Sequence, residues 1–149
     1  LRNRINNFVV AYSSRDSFNF LKVTITMTKT IKIKRVYEEY SAEDGYRILV
    51  DRLWPRGVRK ENLHYDLWAK ELAPSPELRK WYHTDPENRW KEFRNRYIFE
   101  LSNSEQVRQS IQDIGHYNTI TLLYAAKNPV QNHAQVLKEY LDKVFQIEY

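Results

Sequence analysis

Apolar positions along this chain follow two different patterns that both predict β-strands. In residues 31–37, Ile31 and Ile33 alternate with Lys32 and Lys34, and this period of two is typical of a strand with one solvated face. Residues 46–53 and 119–125 instead contain continuous apolar runs that are rich in β-branched and aromatic side chains. Such runs are typical of strands covered on both faces.

The remaining segments show apolar residues three and four positions apart, which predicts amphipathic helices. Ser75-Pro76 and Asp85-Pro86 each place a capping residue before a proline at the first helical position. Ser104-Glu105 begins a third helix, which ends at Gly115. A final helix carries an apolar face made of Val130, Ala134, Leu137, Leu141 and Val144.

Residues 63–72 also show helical spacing, with an extended start as the alternative. Because strands are separated by helices, the sequence predicts an α/β fold: a single small domain with an at least partly parallel sheet flanked by helices. A chain of 149 residues fits one such domain with a sizeable core.

The first 26 residues differ from the rest of the chain in charge. Met27 is the only methionine, and the residues after it resemble the natural start of a bacterial protein. We therefore predict that residues 1–26 are a leader, either non-native or an upstream extension, and that residues 27–149 form the domain. A genuine extension packing as an edge strand is the alternative. The leader has four basic residues against one acidic, and so carries +3 of the net charge of +5.

Composition excludes several classes of protein. A hydrophobic content of 42% and an aromatic content of 14% are far from those of disordered chains. The absence of cysteine excludes disulfides and thiolate chemistry. No apolar run is long enough to span a bilayer and residues 1–26 lack a secretory pattern, so we expect a cytoplasmic protein. Three glycines cannot build a nucleotide-binding glycine motif and the four histidines lack metal-binding spacing, so we expect neither cofactor nor metal.

The candidate chemistry lies after the two apolar strands. In open α/β sheets, ligands bind beyond the carboxyl ends of the strands. Arginine suits bidentate anion recognition, and a helix N-terminus suits phosphate or carboxylate groups. We therefore expect a small anionic ligand at this edge. The predicted ligand-binding residues are Arg47, Arg52, Arg56, Lys127 and Asn132.

Asp51 and His133 are the candidates for general acid–base catalysis if the protein is an enzyme, which the sequence leaves undecided. Asp51 is expected to position Arg47 or Arg52. An ordinary ion pair that closes a loop explains the same residues equally well, because structural ion pairs resemble functional sites.

Two other functions compete with anion binding. The basic helix face of residues 89–96 would suit a nucleic-acid-binding accessory protein, although nearby carboxylates dilute its charge. Alternatively, Trp54 and Trp68 would line a partner surface in a non-catalytic interaction module. The sequence does not predict an oligomeric state.

Several blocks of the chain resemble the DUF488 family, in particular its YeaO-like branch. The similarity spans Thr30 to Tyr140 and is most specific in Asp51-Arg52-Leu53-Trp54-Pro55-Arg56-Gly57. It implies a single α/β domain in a bacterial cytosol and no defined activity. Other branches begin the last helix with Cys-His-Arg, whereas Asn132-His133-Ala134 retains only the histidine. The resemblance therefore implies that thiol and arginine chemistry are lost there and that His133 is the position to examine.

Overall fold

A computed structural model describes residues 7–14, 17–26 and 29–147 of the chain. Six strands and four α-helices are found within this part. The strands are β1 (Asn7–Ser14), β2 (Ser17–Thr26), β3 (Thr30–Arg35), β4 (Tyr46–Leu49), β5 (Leu67–Trp68) and β6 (Thr119–Tyr124). The helices are α1 (Pro76–His83), α2 (Pro86–Ser102), α3 (Glu105–Ile114) and α4 (His133–Val144).

Strands β1 and β2 form an antiparallel two-stranded sheet of their own, with Val10 opposite Val23. The alternative in which a genuine extension packs as an edge strand stays a prediction. Met27, the predicted start of the domain, lies outside the described residues. The assignment of residues 1–26 as a leader stays a prediction.

The main sheet has four parallel strands in the order β3-β6-β4-β5. Strands β6 and β4 occupy its centre, as expected from their continuous apolar runs, since a central strand is covered on both faces. The predicted α/β class is confirmed, with a sheet that is parallel throughout. The strand β6 comes late in the chain yet pairs with β3 on one side and β4 on the other.

All four α-helices contribute to one core, packed against the sheet face that contains Ile31, Ile48 and Leu122. The predicted caps of α1 and α3 are confirmed, because Ser75 accepts from Leu78 N and Ser104 accepts from Val107 N. The other sheet face has a smaller cluster made of Val36, Leu49, Leu63 and Leu123, with Trp54, Val58, Tyr65, Trp68 and Ala125 packed against it.

The helix predicted for residues 63–72 is wrong. This segment contains the short strand β5 followed by a single 3₁₀ turn at Lys70–Leu72. Backbone pairing with β4 decides the outcome, since Leu67 lies beside Ile48 and Ala69 N donates to Leu49 O at 2.9 Å. A free sheet edge offers these backbone groups partners that outweigh a helical spacing of side chains.

Two predicted boundaries also change. The last helix begins at His133 rather than near Val130, whose side chain is 71% exposed. Strand β4 ends at Leu49. Val50 N still donates to Leu123 O at 3.0 Å, and the chain leaves the sheet from Asp51 onward.

A buried ion network lies on the loop-covered face of the sheet. Asp44 is 5% exposed and pairs with Arg47, which is 2% exposed, and with Lys34 Nζ at 3.2 Å. Burial by itself raises the pKa of the Asp44 carboxyl, but hydrogen bonds from Ser41 N–H, Lys34 and Arg47 outweigh it and lower the pKa. The charged form of Asp44 is therefore favoured in the folded protein.

We expect Asp44→Asn to lower the free energy of unfolding by roughly 3–5 kcal/mol, because it leaves the Arg47 guanidinium buried without its counter-charge. Glu92→Gln removes an exposed partner of Arg96 and should cost less than about 1 kcal/mol. Urea unfolding at several pH values measures both. The pKa of Asp44 is lowered in the folded protein. The difference in the free energy of unfolding between the unaltered protein and Asp44→Asn should therefore be largest above the ordinary carboxyl pKa of 3.8, and it should decrease as the pH falls through the lowered pKa. A difference in the free energy of unfolding that does not depend on pH would contradict a stabilising role for the charged Asp44 carboxylate.

Two glycines with positive φ give a matched pair of substitutions. Gly45 (φ 67°) precedes β4, and a Cβ there would overlap the carbonyl oxygen of Thr119, whereas Gly57 (φ 75°) has open space around it. Gly57→Ala should cost about 1–2 kcal/mol from backbone strain alone. Gly45→Ala should cost a further ~1–3 kcal/mol, because Thr119 at the start of β6 must move. Chemical denaturation of both variants checks the order, and equal losses would contradict it.

Candidate functional site

The carboxyl ends of β3, β6 and β4 lie side by side at one edge of the sheet, which we call the carboxyl edge. Backbone hydrogen bonds continue past the strands, since Val36 N donates to Tyr124 O at 2.9 Å and Val50 N donates to Leu123 O at 3.0 Å. The loops that follow the three strands therefore start next to one another. The N-terminus of α4 adjoins this edge through His133.

Asp51 and His133 meet at the carboxyl edge. Asp51 Oδ2 accepts from Ala125 N at 2.9 Å, and the buried Oδ1 lies 3.0 Å from His133 Nε2. The same Nε2 lies 3.0 Å from Val50 O. Because both neighbours of Nε2 are acceptors, this nitrogen carries the hydrogen and donates. The two predicted catalytic residues thus form one inward-facing bridge between the ends of β4 and β6 and the first turn of α4.

Neither arginine expected beside Asp51 pairs with it. Arg52 donates from Nε to Pro74 O at 3.2 Å and from Nη2 to Ala73 O at 3.4 Å, which ties the loop after β4 to the segment before α1. Asp51, which precedes Arg52 in the sequence, is therefore not the partner of its guanidinium. This corrects the expectation that the Asp51 carboxylate positions Arg52.

Arg47 lies in a different part of the sheet from the carboxyl edge. It alternates with Ile48 along β4, so that its side chain lies on the loop-covered face, where it pairs with Asp44 and donates to His64 O at 2.6 Å. The period of two along a strand places it there. Arg47 is a structural ion-pair partner and is not brought together with the other predicted site residues.

Asn132 caps α4. Its Oδ1 accepts from Gln135 N at 2.9 Å and its Nδ2 donates to Asn128 O at 2.9 Å. The side chain is 3% exposed. Both polar groups of Asn132 therefore have partners within the protein. The residue that was predicted to bind a ligand is the N-cap of α4.

Arg56 and Lys127 are exposed on the loops that follow β4 and β6. Among residues 29–147, neither the Arg56 guanidinium nor the Lys127 ammonium has a hydrogen-bond or ion-pair partner. These two cations are the members of the predicted set that the fold leaves available to a ligand. They belong to loops that Asp51 joins through its bond to Ala125 N.

Arg35 is a residue of this edge that the sequence did not indicate. It ends β3 and donates from Nε to Ala126 O at 3.0 Å and from Nη2 to Ala125 O at 3.1 Å. It thereby holds the loop after β6. Asp51 and Lys127 were identified because they are polar residues at the end of a strand. The same rule applied to β3 identifies Arg35.

The residues behind the two alternative functions have structural partners. On α2, Arg94 pairs with Glu139 and Arg96 pairs with Glu92, both at 2.5 Å. The indole N–H groups of Trp54 and Trp68 donate to Val58 O at 2.6 Å and to Asp51 O at 2.7 Å. Both tryptophans are half-buried in the smaller apolar cluster.

An open groove of about 630 Å³ lies between α1 and α2, and Trp81, Arg96 and Phe99 are among its lining residues. None of the predicted site residues lines this groove. Within the described part of the chain, no group of three or more His, Asp or Glu side chains could hold a metal ion. No helix in that part is both long enough and apolar enough to cross a membrane.

Comparison with known proteins gives a family but no activity. The family model described as the inactive DUF488-N3 subclade matches residues 30–149. The chain is 50% identical over 111 residues to the uncharacterized protein YeaO of Escherichia coli (strain K12), which covers 74% of this chain and 96% of that protein. It is 39% identical over 112 residues to the uncharacterized protein Rv3073c of Mycobacterium tuberculosis (strain ATCC 25618 / H37Rv), covering 75% and 93%. No solved structure matches the chain.

The cap of α4 gives a test of whether Asn132 is structural. We expect Asn132→Ala to lower the free energy of unfolding by about 1–2 kcal/mol, because the N–H of Gln135 and the carbonyl of Asn128 both lose a partner. Asn132→Ser keeps a capping oxygen and should lose less. Urea denaturation of both variants measures the difference. An Asn132→Ala variant as stable as the unaltered protein would contradict the capping role.

Proposed function

The chain belongs to the DUF488 family, in its inactive N3 subclade, and from this membership we propose that it is a non-catalytic binding protein. We propose further that it holds a small phosphate- or carboxylate-bearing anion at the carboxyl edge of its sheet. Arg56 and Lys127 make the principal contacts in this proposal, and Arg52 lies in the same loop as Arg56.

The state of the acid–base pair supports a role without turnover. A general base needs a lone pair directed at its substrate, within hydrogen-bond reach. Here Nε2 of His133 donates to Val50 O and lies 3.0 Å from Asp51 Oδ1, and Asp51 Oδ2 accepts from Ala125 N. Asn132, at the position before the histidine, is a buried cap. In this proposal Nε2 of His133, Oδ2 of Asp51 and the Asn132 side chain stabilise the carboxyl edge.

The observation that carries the binding proposal is the presence, on adjacent loops, of two cations that have no side-chain partner among residues 29–147. An exposed lysine or arginine is unremarkable alone, but Arg56 and Lys127 follow strands that are hydrogen-bonded neighbours. Within residues 50–56 and 125–127 the only carboxylate is that of Asp51, and it is turned inward to His133 and Ala125 N. An anion approaching these two loops meets Arg56 and Lys127. The exposed Glu38 carboxylate of the neighbouring loop after β3 accepts a hydrogen bond from Arg35 N at 2.6 Å.

The test is isothermal titration with pyrophosphate. The double variant Arg56→Ala/Lys127→Ala should bind it at least about tenfold more weakly, because each lost charge-assisted contact contributes on the order of 1.5 kcal/mol or more. Lys80→Ala/Lys91→Ala is the matched control. It removes the same charge from exposed positions on α1 and α2 that have no partner among the described residues, and it should bind like the unaltered protein.

Two outcomes would overturn the proposal. Equal weakening in both double variants would assign the binding to net charge rather than to the carboxyl edge. Absence of pyrophosphate binding at low salt would remove anion binding altogether, since charge-driven affinity is strongest where screening is weakest.

A further inference from the structure

Tyr37 is an exposed aromatic residue that is nevertheless held in place. It follows β3 and is 51% exposed. Its hydroxyl donates to Arg56 O at 3.0 Å, and the Arg35 guanidinium carbon lies 4.9 Å from its ring centroid. Arg35 is itself fixed by the carbonyls of Ala125 and Ala126. The Tyr37 ring is therefore held at the carboxyl edge by two contacts: its hydroxyl group is hydrogen-bonded, and the Arg35 guanidinium packs on one of its faces.

We infer that Tyr37 is a stacking platform for the aromatic base of a nucleotide whose phosphates contact Arg56 and Lys127. This inference rests on the proposed anion site and names the class of its ligand. It commits to a planar aromatic base joined to a phosphate, which occurs both in free nucleotides and at the end of a single-stranded nucleic acid.

The geometry around the ring favours a base as its occupant. Bases bind proteins by stacking on aromatic side chains, and a neighbouring arginine strengthens such a stack through its cation–π contact. With Arg35 over one face and about half of the residue exposed, the solvent-facing side of Tyr37 is available for stacking. A ring fixed before binding loses little conformational freedom when a ligand arrives.

The placement of Arg56 and Lys127 suits the phosphate groups of a nucleotide. The hydroxyl of Tyr37 touches the backbone of Arg56, so the platform and one proposed phosphate ligand belong to residues in direct contact. Arg35 links the platform to the loop after β6, which contains Lys127, by way of Ala126. In this inference the sugar of the nucleotide connects the base on Tyr37 to the phosphates at the loops of Arg56 and Lys127.

Matched variants of Tyr37 test the inference. Tyr37→Leu removes the aromatic face and should weaken ADP binding about tenfold while leaving pyrophosphate affinity unchanged. Tyr37→Phe keeps the ring, loses the hydroxyl anchor and should retain most of the ADP affinity. The unaltered protein should bind ADP about tenfold more tightly than pyrophosphate, and the base protons of ADP should shift upfield in NMR spectra. Circular dichroism of the variants verifies that they are folded.

The outcomes separate this inference from the proposed function. Pyrophosphate binding with ADP no tighter, or a Tyr37→Leu variant that binds ADP normally, overturns the stacking role and leaves the anion site intact. Failure of pyrophosphate to bind overturns the anion site and the inference with it. A 5′-phosphorylated hexa-adenylate binding more tightly than ADP identifies a single-strand end as the ligand source. ADP binding equal to or tighter than the hexa-adenylate identifies a free nucleotide.

Discussion

The insertion of β6 between β3 and β4 is the constraint on which the rest of this structure depends. Because β6 pairs with both neighbours along its length, the residues that follow it emerge beside loops formed about 75–90 positions earlier in the chain. Asp51 completes the junction by accepting the N–H of Ala125 and meeting His133. A change in this pairing would separate every residue of the carboxyl edge.

Cations at the carboxyl edge divide into those that hold the fold and those that do not. Arg35 and Arg52 each donate two hydrogen bonds to backbone carbonyls of neighbouring segments, where a guanidinium can satisfy several carbonyls at once. The side chains of Arg56 and Lys127 make no such bonds to the residues that the structure describes. An edge built in this way keeps Arg56 and Lys127 at its surface while Asp51 and His133 are turned inward.

The two faces of the sheet are stabilised by different interactions. One face packs against all four helices through apolar contacts. The other combines the small tryptophan-containing cluster with the network of Asp44, Arg47 and Lys34. Removing one partner of a buried ion pair leaves an uncompensated charge in the interior. The network therefore helps to fix how β3 and β4 are placed beside β6.

The sequence by itself determined the fold class, the two central strands and the helix starts at Ser75 and Ser104, because hydrophobic period and capping are local properties. It also identified Asp51 and His133, which the fold joins. It could not determine that residues 67–68 form a strand, since that depends on an open sheet edge elsewhere in the chain. Only the tertiary structure decided which charges are paired. Arg47 pairs with Asp44, whereas the side chains of Arg56 and Lys127 have no partner in the part of the chain that the structure describes. A side chain's partners depend on contacts between distant segments, and local pattern carries no information about those contacts.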